Sequence, residues 1–154
     1  MINKKQHNYI EYILRLLDKK YNRNIVLYYN PKCKRTNVSY NKEENKHLLE
    51  YGDVLINNAL SDKKHWKDHI RYTIFHEMGH IYHKIFEYET FKDKAICEYK
   101  AERFALNRLK IMYPKTYKWA CSEGNRMVKD KTWPKEKSEM QYRVAWENIR
   151  EYVR

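Results

Sequence analysis

A chain of 154 residues, 42% hydrophobic and 34% charged, is long enough for one domain with a buried core and leaves little room for a second. Three glycines and three prolines exclude a turn-rich β barrel or a disordered linker protein, three well-separated cysteines exclude a zinc ribbon or disulfide framework, and no apolar run approaches the roughly 18 residues of a membrane span. The net charge of +12 suits acidic partners, but the basic residues are scattered, so direct nucleic-acid binding is admitted without being favoured. The odd cysteine count and the lack of an apolar segment behind Met1 to His7 make the reducing cytoplasm the expected location, with no membrane attachment.

Residues 7–20 read as an amphipathic helix with Ile10, Ile13, Leu14 and Leu17 as its stripe and Lys19 and Lys20 at the negative end of its dipole. Residues 24–29, rich in β-branched and aromatic side chains and closed by Asn30-Pro31, predict a strand. Residues 37–40 alternate weakly and predict a second, which leaves Cys33, Lys34 and Arg35 in the connecting loop. Glu43, Glu44, Asn45 and Lys46 read as solvated loop, Tyr51-Gly52 as a turn, and residues 53–57 as a third strand. Ser61 or Asp62 is the expected N-cap of a helix over about residues 63–86, and Asp93 that of a helix over about residues 94–112. Pro114 ends this last helix or opens a short one through Ala120, and Gly124-Asn125 reads as a break. A final helix is expected over about residues 134–153, with Tyr142, Ala145, Trp146, Ile149 and Val153 on an apolar face that packs on the core. The fold class is therefore α+β: an N-terminal helix, a short three-stranded antiparallel or mixed sheet, two long helices and C-terminal helices.

The first long helix carries His76-Glu77-Met78-Gly79-His80. Residues four apart lie one above the other on a helix, so His76 and His80 can hold one metal ion between their imidazoles. Glu77 lies about 100° round the helix from His76 and can flank the ion without binding it. This is the H-E-x-x-H pattern, two zinc ligands and a general base from one turn. Gly79 costs a helix about 1 kcal/mol relative to alanine, which points to a close approach by another backbone or a substrate.

Two imidazoles need a third ligand. On the next helix Ala101, Ala105, Leu109 and Met112 share a face at helical spacing from Glu98. A carboxylate in an apolar stripe is costly unless it is paired or bound to metal, so Glu98 is the leading candidate. Glu102, at the margin of the stripe, is second, either as ligand or as support for one. The plain alternative pairs both with Lys or Arg on neighbouring helices. Ala101 and Ala105 are small enough to let the two helices approach. His69, Tyr72 and His83 can line the cleft or support a ligand. A catalytic zinc keeps one position open, which argues against His83 as a further ligand.

H-E-x-G-H followed by E-x-x-A-x-x-F-A, here Glu98-Tyr99-Lys100-Ala101-Glu102-Arg103-Phe104-Ala105, resembles the ImmA/IrrE family of metallopeptidases. The likeness covers about residues 20–113, the core of a single domain 1–154 in which 114–154 form a C-terminal helical extension. It implies a small zincin-like fold, zinc on His76, His80 and Glu98, and Glu77 as general base. The substrate it implies is a protein, a helix-turn-helix repressor or similar regulator of a prophage, mobile element or stress response. Where the family has Leu-Leu-Met-Pro, this chain reads Leu109-Lys110-Ile111-Met112-Tyr113-Pro114. Sites of this type set a strand edge beside the metal, where a substrate pairs through its backbone; the strand before the metal helix or its neighbour is expected to supply it.

Two other functions fit the same residues. A non-catalytic zinc-containing module could capture a repressor or nucleic acid, and would be marked by a closed four-ligand site. A protease of proteins trapped on DNA would be marked by salt-sensitive DNA affinity.

Overall fold

The computed structural model describes residues 3–84 and 86–149. Helix α1 (Lys4–Tyr21) follows from its stripe: Ile10, Ile13, Leu14 and Leu17 are fully buried. It stops at Asn22, a left-handed residue whose N–H bonds back to the Asp18 carbonyl.

Strands β1 (Ile25–Tyr29), β2 (Asn37–Asn41) and β3 (Lys46–Tyr51) form one mixed sheet in the order β1-β3-β2. β1 runs parallel to β3, with Ile25 opposite His47 and Tyr29 opposite Tyr51. β2 runs antiparallel to β3, with Asn37 opposite Glu50 and Asn41 opposite Lys46. Alternation along the central strand buries His47, Leu49 and Tyr51. β2 is left as an edge.

The third strand therefore lies at residues 46–51, and the expectation of a strand over 53–57 is corrected. Those residues open helix α2 (Asp53–Ser61). Asp53 in its first turn suits the positive end of the helix, and Leu55, Ile56 and Ala59 bury a helical stripe. The true strand is hard to see because His47 is polar; its Nδ1 donates to the Arg23 carbonyl at 2.6 Å, which makes burial tolerable.

Helix α3 (Trp66–His83) starts later than expected, because Ser61 closes α2 and Asp62 accepts the N–H of His65, the N-cap. It ends at Lys84, whose left-handed backbone returns an N–H to the His80 and Ile81 carbonyls. Helix α4 (Phe91–Met112) starts earlier than expected: Thr90 is the N-cap and Asp93 the third residue of a capping box.

Helix α5 (Pro114–Lys129) runs straight through Gly124-Asn125, which is not a break. A Cβ at Gly124 would lie 2.2 Å from Trp146 Cζ3, so this glycine serves close packing. After a cis Trp133-Pro134 bond and a single 3-10 turn (Lys137–Glu139), helix α6 (Met140–Ile149) replaces the expected helix over 134–153. The carbonyls of Val128, Asp130 and Trp133 accept from the Arg143 guanidinium, which holds this segment as a loop. Residues 150–153, Val153 among them, lie outside the described residues. Ala145, Trp146 and Ile149 are buried as expected. Among the described residues no helix is long and apolar enough to cross a membrane.

Candidate metal centre

Helix α3 is buried without interruption from Ile74 to Ile81, so the whole motif sits in a low-dielectric interior. What permits this is the approach of α4. A Cβ at Gly79 would lie 2.7 Å from Ala101 Cα and 2.8 Å from its carbonyl oxygen, and Ala101 and Ala105 are fully buried. The expectation of a close backbone contact at Gly79 is met by the α4 main chain itself.

Across that contact the side chains of His76, His80 and Glu98 meet as a group that can hold a metal ion. The two Nε2 atoms are 3.1 Å apart, His76 Nε2 is 3.0 Å from Glu98 Oε2, and His80 Nε2 is 3.5 Å from Glu98 Oε1. Ligand atoms about 2.0–2.1 Å from a tetrahedral ion stand roughly 3.3 Å from one another, so the donor set is already near the required spacing. The charges also ask for a cation. Glu77, Glu98 and Glu102 are all buried, and among the described residues none pairs with Lys or Arg. Glu98 Oε2 and His80 Nδ1 are buried without a hydrogen-bond partner. The residues present therefore fit a divalent ion.

Glu102 differs from expectation. It is not at a solvated margin but is only 4% exposed. Its Oε1 accepts from the Tyr72 hydroxyl at 2.5 Å and lies 2.9 Å from His76 Nδ1. The second contact is off the line of a ring N–H, so it acts mainly through charge. Tyr72 and Glu102 thus orient the His76 ring from behind, leaving Nε2 to face His80 and Glu98. Burial opposes protonation of His76, but Glu102 and then Glu98 outweigh it and hold the ring well above the ordinary imidazole range. Burial works against Glu98 as well, yet the close approach of the His76 and His80 imidazoles brings its carboxyl down to about 2. Replacing Glu102 by glutamine is expected to weaken metal binding by about 10–100-fold, read by competition with a chromogenic chelator. An unchanged affinity would remove it from the support of His76.

Glu77 points elsewhere. Burial, eased by His76 and His80, pushes its carboxyl up to about 7. It lines a hollow of about 130 Å³ together with His76, His80 and Glu98, and also a larger one of about 300 Å³. The two share Arg35, Thr36, His76, Glu77 and Tyr142, so they form one cleft that crosses the cluster. The start of β2, from Asn37 to Val38, forms one wall.

His69 and His83 do not join the cluster. His69 lies 3.7 Å from Asp62 and packs edge-on against Trp119, and His83 is exposed against the Tyr82 and Phe104 rings. Residues not singled out from the sequence do reach the cleft. Tyr88 and Tyr142 both line the smaller hollow, and Arg35 lies there bound to Glu139 at 2.6 Å. Tyr142 read as one more apolar position of the last helix; only the packing of α6 on α4 brings it to the hollow that His76, His80 and Glu98 line. Comparison with family models, curated proteins and solved structures gives no match to this chain.

Proposed function

We propose that this chain is a zinc-dependent metalloendopeptidase with zincin-like architecture. The observation that carries the reading is the convergence of His76, His80 and Glu98 on one point, with Glu77 beside it in an open cleft walled by the β2 edge. Two imidazoles and one carboxylate are a donor set that suits catalytic zinc and leaves a position free. A bound zinc would supply Lewis-acid polarisation of a carbonyl and acidify a water.

The chain's own residues do the rest. An extended substrate segment pairs with β2 through its backbone, which fixes the peptide bond across the cleft. Its apolar side chain on one side enters the 300 Å³ hollow, among Leu55, Met127 and Trp146. Glu77 takes the proton of the attacking water and passes it to the leaving amine. Tyr88 and Tyr142, which line the hollow over the cluster, are the side chains we assign to donate to the developing oxyanion.

The resemblance to the ImmA/IrrE family supports a helix-turn-helix repressor, or a similar regulatory protein, as substrate. The test is metal analysis of the purified protein, paired with incubation against the repressor encoded beside it. One zinc per chain and cleavage at a discrete site, lost on chelation and restored by zinc, are expected. Tight capture of the repressor without cleavage would replace the peptidase by the binding module.

A further inference from the structure

The cleft does not end at the metal ligands. Phe86 walls both the small hollow over the cluster and a basin of about 570 Å³ further along β2. Val38 borders the first, Tyr40 and Lys42 the second. At about 3.3 Å per residue, the basin lies about 7–13 Å from the point where the scissile bond is held.

Its chemistry is specific. Arg23, Lys42 and Lys84 face it against one carboxylate, Glu87. None of the three cations has an ion-pair partner among the described residues. The rings of Tyr40, His47 and Phe86 lie within 4.8–6.1 Å of one another and form an aromatic wall beside the cations. The backbone is shaped for this place. Every non-glycine residue with a left-handed φ among those described lines this one basin: Asn22, Asn24, Asn45 and Lys84, at 49–56°. Asparagine adopts that conformation readily, and lysine does not. A glycine or asparagine would close α3 better than Lys84, so its charge at the rim has a use other than capping.

We propose that this basin is a substrate-selecting subsite, which takes an aspartate or glutamate side chain two to four residues from the bond that is cut. The inference rests on the peptidase reading above. A segment paired with β2 passes the metal ligands and delivers its next side chains here, where a carboxylate meets three unneutralised cations.

The test uses the zinc-loaded protein and a synthetic peptide library randomised at every position, with cut sites read by mass spectrometry. Acidic residues should be enriched at those positions on one side of the cut, and Lys42→Glu should remove the enrichment or turn it towards Lys and Arg. Lys84→Asn, which keeps the left-handed backbone, should reduce it without changing the melting temperature. Cuts with no acidic enrichment would overturn the subsite and leave the peptidase standing. If the library is not cut at all, the peptidase reading falls, and binding decides the basin separately. A fluorescent glutamate-containing peptide should bind the unaltered protein about tenfold more tightly than the Lys42→Glu variant, and more tightly than its glutamine counterpart. Equal binding would overturn the basin, and so would displacement of that peptide by inorganic phosphate at the same concentration, which would make it a small-anion site.

Discussion

Glu77→Gln is expected to slow peptide cleavage by a factor of about 10² to 10⁴ and to leave the metal content unchanged. Glutamine keeps the size and shape of glutamate but carries no negative charge and takes up no proton near neutral pH. Glu77 lies outside the group of side chains that converge as metal ligands, and it lines both parts of the cleft. It is only 7% exposed, so an ionised carboxylate there is costly unless positive charge stands near it. The two neighbouring imidazoles ease that cost, leaving the carboxyl pushed up to about 7, and its place in the cleft suits a base that takes and returns a proton. The loss of a positioned base is expected to slow turnover by a factor of about 10² to 10⁴. Rates on the repressor, together with zinc content by atomic spectroscopy, check this. Retained cleavage would remove Glu77 from the chemistry, and lost zinc would make it a ligand.

The candidate metal group could be read from the sequence because each part of its signal is local to its own helix. Helical periodicity alone stacks His76 on His80, and a carboxylate in an apolar stripe singled out Glu98. Gly79 could be read for the same reason, since a glycine amid helix-forming residues asks for a close neighbour. The support of the site was not legible. Glu102 follows Glu98 by one turn, and its burial is decided by Tyr72 and His76 on the facing helix. Tyr88 and Tyr142 reach the cleft from a loop and from the last helix, neither of which has a pattern that records its distance from His76. The sheet failed for a different reason. Asp53-Val54-Leu55-Ile56-Asn57 has a strand's composition, but it follows Gly52 at a helix N-terminus and buries Leu55, Ile56 and Ala59 on one helical face. The actual strand contains Lys46, His47 and Glu50, and its pairing on both sides shows only in the folded chain.

Gly79→Ala is expected to destabilise the fold, the reverse of its effect on an open helix. In an unobstructed helix, alanine for glycine stabilises by about 1 kcal/mol. Here the new methyl carbon would meet Ala101 Cα, C and carbonyl oxygen at 2.7–3.1 Å. Those are main-chain atoms in the middle of α4, which no side-chain rotation can clear, so the helices themselves must separate. Overpacking of this kind costs about 1–3 kcal/mol, and a rigid backbone obstacle argues for the upper end. The net loss should be about 2 kcal/mol, or about 4–8 °C in melting temperature for a chain of this size. Ala101→Gly should not rescue it, because glycine keeps all three obstructing atoms. Moving α3 away from α4 also moves both imidazoles away from Glu98, so metal affinity should fall together with stability. Thermal melting with and without bound metal, and chelator competition on the same samples, measure the two effects. A higher melting temperature for Gly79→Ala would mean that the helices are not pressed together at this point, and the close packing that brings Glu98 to His76 and His80 would lose its basis.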